Sequence, residues 1–397
     1  MRRCRLTFAV GVVAVALGAC GLTDDRFGSS TLPPIGPVTG GTLAAPGASI
    51  DPGAAPLIDT GPRSPKIVGE GCALTAPGAT GAPASVTYSF ATSLFELSAD
   101  AETARCLMAL PQDKVDQRPL WAPTGDRFLI SPGVVMIDAK LGASGLQADA
   151  TRAIWSAPDA SLLVAVTDDG RLVRRPVDGS GKLANISFMK NTSAVVYHPG
   201  GAVLFAAGTA RDGTAQIVLS EPGGKLFRPV VLLPAGAQVP EVAAAADGQS
   251  ISFIEVSAVT SRVRALHLPE LTLTTRIETS TPLSGLVHDG DVVAVRAGEC
   301  SGSTSTRLST GAATLDLNAA EPFVGRSTEP VGFVSGSLIV ASRQTGCSGP
   351  ADVWAVDPAD VSVPTLLISG VTEVSVRPAP LPPVDLPAEL KQEPAQG

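Results

Sequence analysis

Short apolar and polar blocks alternate along most of the chain. Beyond Pro65, runs of four to seven residues rich in Val, Ile and Leu are separated by turns of Gly, Asp, Pro and Ser. Short runs bounded by turn residues are typical of strands, whereas a helix would show a 3.6-residue period over a longer stretch. The pattern therefore predicts an all-β domain.

A turn followed by a strand recurs through this region. Each copy has an apolar residue, a turn with Pro, Asp or Gly, and a strongly apolar strand. The reference positions of the copies are Pro123, Pro158, Pro199, Ala246, His288, Val334 and Pro378, at intervals of 35, 41, 47, 42, 46 and 44 residues. A period of about 40–45 residues with four strands per unit is typical of a β-propeller.

The turns also resemble those of a known family. Pro158-Asp159-Ala160 and Ala246-Asp247-Gly248 are similar to the turns of TolB-type propellers, which are relatives of the WD-repeat group. The resemblance covers roughly residues 85–380 and implies a ring of blades. Residues 167–173 also resemble the turn of quinoprotein-type repeats, so the subfamily stays open.

The two ends of the domain predict how the ring closes. Residues 369–378 have the pattern of an innermost strand and its turn, after which the chain becomes Pro-rich. Three further strands, at Ser85–Phe90, Leu94–Ser98 and Arg105–Leu110, would complete that blade. A blade shared by both ends leaves no exposed sheet edge. Counting it gives a single propeller of seven four-stranded blades, although six or eight also fit the intervals.

The first twenty residues follow a different pattern. Three arginines within residues 2–5 precede an apolar run from Leu6 to Ala19, which is too short to span a bilayer and is typical of an export signal. The run ends in Leu17-Gly18-Ala19-Cys20, which resembles the bacterial lipobox. That resemblance implies cleavage before Cys20, a lipid on its thiol and a further acyl chain on the new amine. An ordinary secretory signal with a chance cysteine is the alternative.

The resemblance also implies a location outside the cytoplasm. Gly21 stands where aspartate is the familiar signal for retention in the inner membrane, so the outer membrane is implied in a Gram-negative source. In a Gram-positive source, the outer leaflet of the cell membrane is implied. Loss of the three arginines of the signal changes the formal net charge from -8 to -11. Anionic headgroups repel such a protein, so we expect the lipid alone to hold it at the membrane.

These patterns divide the chain into four parts. Residues 1–19 form the lipoprotein signal peptide, and residues 20–65 hold the lipidated cysteine and a disordered Gly- and Pro-rich tether. The propeller is predicted at residues 66–380, followed by a disordered tail at residues 381–397.

Four of the six cysteines remain in the mature domain, since Cys4 leaves with the signal and Cys20 is lipidated. An exported protein with four such cysteines is expected to form two disulfides. Cys300 and Cys347 lie 47 residues apart, one blade, in loops of similar composition. We therefore predict Cys300–Cys347 and, by remainder, Cys72–Cys106. Metal binding is the alternative, but no clustered cysteine or histidine pattern supports it.

The sequence contains few residues that indicate catalysis or ligand binding. The acidic chain has no dense block of Lys and Arg, which argues against a nucleic-acid partner. His198 and His288 adjoin turns at equivalent blade positions, so we expect these two to bond backbone groups, whereas His267 lies in a strand. The Asp-rich turns at residues 168–170, 212–213 and 289–291 lack the spacing of calcium loops. The sequence predicts no catalytic residue, cofactor or metal site.

Two functions follow from this reading. The first is a membrane-anchored propeller that acts as a protein-interaction or assembly scaffold for other envelope proteins, without catalysis. The alternative is a propeller that binds a small molecule or metal in its central channel, with hydrolase or lyase activity as one option. The lining of the channel discriminates between the two functions. Convergent Asp, Glu, His or Asn side chains would favour an enzyme, whereas small apolar residues would favour a scaffold.

Overall fold

The computed structural model describes residues 63–69, 71–72, 84–110, 118–130, 135–138, 142–145, 150–178, 184–311, 313–379 and 384–390. All of them belong to one compact unit, Pro56–Gly397. The predicted signal, Cys20 and the tether up to residue 62 lie outside the described residues. Within the described part, no helix has the length and apolarity needed to cross a membrane.

The strands of the described part form seven sheets, which are the blades of a propeller. Blade 1 consists, from the inside outwards, of β29 (Glu373–Arg377), β2 (Ser85–Phe90), β3 (Ser93–Leu97), β4 (Thr103–Ala109) and an added edge strand, β1 (Lys66–Val68).

The other six blades each have four consecutive strands, with the first strand innermost. Blades 2, 3 and 4 consist of β5 (Leu120–Trp121), β6 (Arg127–Ile130), β7 (Val135–Asp138), β8 (Gly142–Gly145), β9 (Ala150–Trp155), β10 (Leu162–Thr167), β11 (Leu172–Pro176), β12 (Ala184–Asn185), β13 (Asn191–Tyr197), β14 (Leu204–Thr209), β15 (Ala215–Ser220) and β16 (Phe227–Leu232). Blades 5, 6 and 7 consist of β17 (Gln238–Ala244), β18 (Ser250–Val256), β19 (Ser261–His267), β20 (Thr272–Thr279), β21 (Leu283–Asp289), β22 (Val292–Ala297), β23 (Ser305–Ser309), β24 (Thr314–Asp316), β25 (Ser327–Val334), β26 (Ser337–Arg343), β27 (Ala351–Asp357) and β28 (Asp360–Val371).

Blade 1 closes the ring by joining the two ends of the domain. Its innermost strand β29 pairs antiparallel with β2, from Ser85 opposite Arg377 to Ser89 opposite Glu373. The predicted all-β propeller, with seven blades and a blade shared by the two ends, is confirmed. The edge strand β1 was not predicted, and it runs parallel to β4.

The buried apolar residues lie between the blades. Seven hydrophobic clusters are present in the described part, and each lies at a different blade-to-blade interface. Between blades 6 and 7, for example, Phe323 packs edge-on against Trp354 with ring centroids 5.7 Å apart. The strong apolar runs of the sequence arise because a blade is covered on both faces by its neighbours.

The chain after blade 1 returns to the ring. Residues 384–390 fall within the predicted disordered tail, but they form an ordered segment that ends in a 3-10 turn, Ala388–Leu390. Leu386 and Leu390 are buried in the cluster between blades 4 and 5. The prediction of disorder is therefore wrong for this segment. Two buried leucines among prolines suffice to hold it against the ring. Residues 381–383 and 391–397 lie outside the described residues.

The chain entering the ring is also attached to it. The backbone oxygen of Arg63 accepts a bond of 2.9 Å from the backbone N–H of Ser369, and its guanidinium donates to the oxygen of Leu366 at 2.7 Å. Both partners belong to β28 of blade 7, whereas β1 follows at once on blade 1. The entering chain thus spans the junction between the last and first blades.

Candidate functional site: the mouth of the central channel

The propeller has two rims of different construction. The innermost strands begin at one rim, here called the entry rim, which also carries the loops between the second and third strands of each blade. Tight turns from the first to the second strand form the other rim, here called the turn rim. The loops with Cys300 and Cys347 lie at the entry rim.

A charged cavity opens at the entry rim, at the end of the central channel. Its volume is about 440 Å³, and it is lined by residues that come from blades 5, 6, 7 and 1 and from the chain entering blade 2. We call it the channel mouth. The residues that form it or support it are Arg118, Glu241, Ser284, Arg296, Glu329, Arg343 and Glu373.

β-Bulges in three innermost strands shape this mouth. The register shifts between Gln238 and Glu241 in β17, between Ser284 and Val287 in β21, and between Pro330 and Gly332 in β25. A bulge twists a strand locally and redirects its side chains. The repeated irregularity thus brings polar side chains of successive blades to one end of the channel.

Three guanidiniums surround the carboxylate of Glu329. Arg118 is ion-paired with it, and the nitrogens of Arg296 and Arg343 lie 3.5 and 3.3 Å from its oxygen Oε2. The side chain of Glu329 is only 8% exposed, whereas that of Arg118 is 36% exposed and faces the mouth. Glu373 approaches the other side of Arg118, at 3.8 Å.

Hydrogen bonds fix the orientation of these groups. Two nitrogens of Arg296 donate to the hydroxyl of Ser284 at 3.1 and 2.8 Å, and Arg343 donates to the backbone oxygen of Gly349 at 3.2 Å. Glu241 accepts the backbone N–H of Leu286 from the next blade at 2.8 Å. The mouth is therefore preorganised by hydrogen bonds within blades 6 and 7 and by one that joins blades 5 and 6.

Burial lowers the pKa of all three arginines, and repulsion from other arginines adds to the shift of Arg118 and Arg296. Burial lowers the pKa of Arg118; Arg343 and Arg296 lower it further, while Glu373 opposes the shift. Burial also lowers the pKa of Arg296, to which Arg343 adds repulsion and which Glu241 opposes. Guanidiniums nevertheless stay protonated in proteins, so the mouth holds three fixed positive charges close together.

Blades 6 and 7 carry the same arrangement of an arginine followed by a cysteine. Arg296 precedes Cys300 by four residues, and Arg343 precedes Cys347 by four residues, so that both pairs are separated by 47 positions. The structure joins Cys300 to Cys347, with a Cα–Cα distance of 4.9 Å, and Cys347 lines the mouth. The disulfide thus fixes the two loops that follow the arginines.

The other cysteines have the predicted arrangement as well. Cys72 is bonded to Cys106, with a Cα–Cα distance of 4.6 Å, and this bond attaches the chain after β1 to β4. Both disulfides of the structure are therefore those expected from the sequence. Cys20 lies outside the described residues, and its lipidation stays a prediction.

Two of the histidines bond backbone groups at the turn rim. His198 is fully buried; its Nε2 lies 3.0 Å from the oxygen of Gly248, and its Nδ1 accepts the backbone N–H of Gly200 at 3.1 Å. His288 lies 3.0 Å from the oxygen of Gly290. Burial is the main cause that lowers the pKa of both histidines. These contacts are of the kind expected from their place beside turns.

The Asp-rich segments form turns, as the sequence predicted. The backbone N–H of Gly170 donates to Thr167 and that of Gly213 donates to Ala210, which closes each turn. Among the residues that the structure describes, no group of three or more His, Cys, Asp or Glu side chains is arranged to hold a metal ion.

Sequence reasoning missed the mouth itself. Its charged residues are spread from Arg118 to Glu373, and ring closure alone brings them together. One signal was available, namely the equal spacing of arginine and cysteine in blades 6 and 7. The lining of the mouth combines three glutamates with arginines. It is not the small apolar lining that would favour a scaffold, and its glutamates are of the convergent kind that would favour an enzyme, although arginines accompany them.

Several solved propellers are similar to this chain at low identity. A putative TolB from Agrobacterium tumefaciens is 13% identical over 73% of this chain and 91% of its own, with a TM-score of 0.41. The β-propeller domain of the Trilobed protease from Pyrococcus furiosus is 10% identical over 60% and 81%, with a TM-score of 0.44. An oligogalacturonate lyase in complex with manganese is 11% identical over 71% and 83%, with a TM-score of 0.45. Neither a protein-family model nor a curated protein matches the sequence. The propeller fold rests on the sheet topology described above.

Proposed function

We propose that the protein is a lipid-anchored binding module of the bacterial cell envelope, which holds other envelope proteins at its channel mouth without catalysing a reaction. The observation that carries the proposal is the convergence of charged side chains from several blades on one cavity at the entry rim. Sites of this kind are typically concave and largely preformed, with a few placed polar groups.

The chemistry of the mouth suits binding. Guanidiniums hold anionic groups through forked hydrogen bonds, and the most buried carboxylate, Glu329, is already engaged by three of them. Glu329 is thereby held as a fixed counter-charge, and does not serve as a general base for a substrate. The two disulfides favour a location outside the cytoplasm, where such bonds persist.

The proposal is tested by affinity capture with the full chain from solubilised membranes. We expect proteins enriched by the natural chain to be lost with Arg118→Ala and kept with Arg211→Ala, which removes an exposed arginine from a loop of the same rim. Capture of the same proteins by both variants would contradict a role for the mouth.

The anchor is tested separately. We expect the natural chain to incorporate labelled fatty acid and to fractionate with membranes, whereas Cys20→Ser releases it. The matched control Cys4→Ser, within the predicted signal, should leave the label in place. A natural chain without label would contradict the lipoprotein assignment.

A second candidate function is the binding of a soluble small molecule in the same place. It is favoured by the cavity volume of about 440 Å³, which lies in the usual range for ligand sites. A metabolite that raises the melting temperature of the natural chain but not of Arg118→Ala would support this second function over protein capture.

A further inference from the structure

We propose that the channel mouth binds a carboxylate group of a peptide, and selects it over a doubly charged anion such as phosphate. This inference rests on the proposed function and names the chemical group that the mouth recognises.

The arginines of the mouth carry more hydrogen-bond donors than their described acceptors engage. Three guanidiniums supply about fifteen N–H groups. Their acceptors in the described part include the carboxylates of Glu329 and Glu373, the hydroxyl of Ser284 and the oxygen of Gly349. The Nη2 of Arg343 is buried and has no hydrogen-bond partner among the described residues, but Arg343 does not line the cavity. Arg118 and Arg296 do line it, so their N–H groups are the donors that an incoming acceptor can reach.

The charges of the mouth are unevenly distributed. Arg118, Arg296 and Arg343 share contact with the carboxylate of Glu329, so three guanidiniums surround one carboxylate at that point. Over the whole mouth the charges balance, because Glu241 and Glu373 supply two further carboxylates. Arg118 is the most exposed of the three and borders the cavity, so an incoming anion reaches it first.

Two carboxylates of the lining restrict the charge of the ligand. Glu241 of blade 5 and Glu373 of blade 1 also line the cavity. They repel a second negative charge on the ligand and attract a neighbouring cation or amide N–H. A phosphate group carries close to two charges near neutral pH, whereas a carboxylate carries one. The planar fork of a guanidinium also matches a carboxylate.

Two sources of carboxylate are distinguished by short probes. Calorimetric titration of the full chain in detergent uses acetyl-Gly-Gly as a chain terminus and acetyl-Asp-amide as an acidic side chain. Their neutral counterparts are acetyl-Gly-Gly-amide and acetyl-Asn-amide. We expect one acidic probe to bind at least tenfold more tightly than its neutral counterpart, and more tightly than inorganic phosphate.

Variants assign the binding to the mouth. Arg118→Gln should remove the preference for the acidic probe, whereas Arg211→Gln, on the same rim, should keep it. Glu373→Gln should have the opposite effect and strengthen binding several-fold, because it removes a repelling charge. Because Glu373→Gln is expected to raise the affinity for the acidic probe, it tests the proposal even if Arg118→Gln fails to fold.

The inference is overturned if acidic and neutral probes bind alike, if phosphate binds more tightly than either acid, or if Glu373→Gln weakens the acidic probe. Its failure is separable from that of the proposed function. Envelope proteins captured through Arg118 without any preference for carboxylates would refute the ligand class alone. Carboxylate binding without Arg118-dependent capture would refute the envelope role alone.

Discussion

At the scale of single residues, Arg377 joins the closing blade to its neighbour. It is 1% exposed, donates to the oxygen of Gly125 at 2.7 Å, pairs with Glu96 at 3.0 Å and lies over the ring of Trp121. Burial acts to raise the pKa of Glu96, but the hydroxyl of Ser85 and the charge of Arg377 outweigh it, so that the pKa is lowered. Removal of one partner from such a buried ion pair lowers the stability of the fold, because the other charge stays buried without compensation.

We therefore expect Arg377→Met to lower the free energy of unfolding by about 3 kcal/mol, because Glu96 loses its buried partner. Arg105→Met is the matched control, since Arg105 contacts the same carboxylate but is 42% exposed. Its loss should cost less than about 1 kcal/mol. Urea unfolding of both variants measures the difference, and equal losses would contradict the assigned role of Arg377.

A second residue-scale prediction concerns acid. The oxygen of Gly248 only accepts and the N–H of Gly200 only donates, so His198 is neutral with its proton on Nε2. Burial is the main cause that lowers its pKa in the folded state, against opposing effects of Gly248 and Asp247. The unfolded chain then binds a proton that the folded chain does not, once the pH falls below about 6.5.

The free energy of unfolding should thus decrease as the pH falls from about 7 to about 5. Part of this decrease should disappear in His198→Gln. Denaturant midpoints measured across this range provide the test. A His198→Gln variant with the same pH dependence as the natural chain would refute the assignment.

At the scale of elements, the disulfide at the entry rim connects the loops of two blades. Cys300 and Cys347 are separated by 47 residues, so their bond restricts the unfolded chain considerably. We expect the double variant Cys300→Ser/Cys347→Ser to lose about 3–4 kcal/mol of stability. The neighbouring pair Ser301→Ala/Ser348→Ala should lose almost none, since both serines are exposed. Calorimetry under oxidising conditions compares the two, and similar melting temperatures would count against the stabilising role.

The C-terminal segment is a second element with a measurable contribution. Val384 packs beside Gly248, whose φ of +69° and lack of a side chain allow the close approach. Leu386 is 8% exposed, so Leu386→Ala should cost about 2–3 kcal/mol. Leu271→Ala, at a position 37% exposed, should cost less than about 1 kcal/mol. If urea unfolding gives Leu386→Ala a loss as small as that of Leu271→Ala, the docked segment does not contribute to the stability of the ring.

At the scale of the whole molecule, stability depends on closure. In the described part of the chain the buried clusters lie at the blade interfaces, so each closed interface contributes to holding the ring together. A chain that ends at Val371 lacks β29 and exposes the edge of β2. We expect it to associate through that edge and to elute earlier in size-exclusion chromatography.

A chain that ends at residue 379 is the matched control for this prediction. It loses the docked C-terminal segment but keeps β29, so it should elute as the intact chain does. Early elution of both truncations would assign the effect to the C-terminal segment and not to ring closure.

The sequence predicts the ring better than the site, for a physical reason. Blade repetition is a local property, so the turns at Pro158 and Ala246 reveal the period, and the strands at the two ends reveal the shared blade. The channel mouth depends on register instead. A bulge in β25 decides what Glu329 faces, and no repeat pattern reports it. The docked tail was missed because Leu386 and Leu390 lie in a Pro-rich context without any period.

The attachment of the entering chain determines how the molecule responds to tension. A force applied to the chain upstream of Arg63 acts first on the contacts between Arg63 and β28. It then acts in shear on all the hydrogen bonds between the parallel strands β1 and β4. Beyond them the Cys72–Cys106 bond carries the force covalently into β4. Because β4 belongs to the blade that both ends of the domain share, tension on the entering chain reaches the ring at the blade that closes it. That blade also supplies Glu373 to the channel mouth, so such tension acts on a blade that forms part of the candidate site.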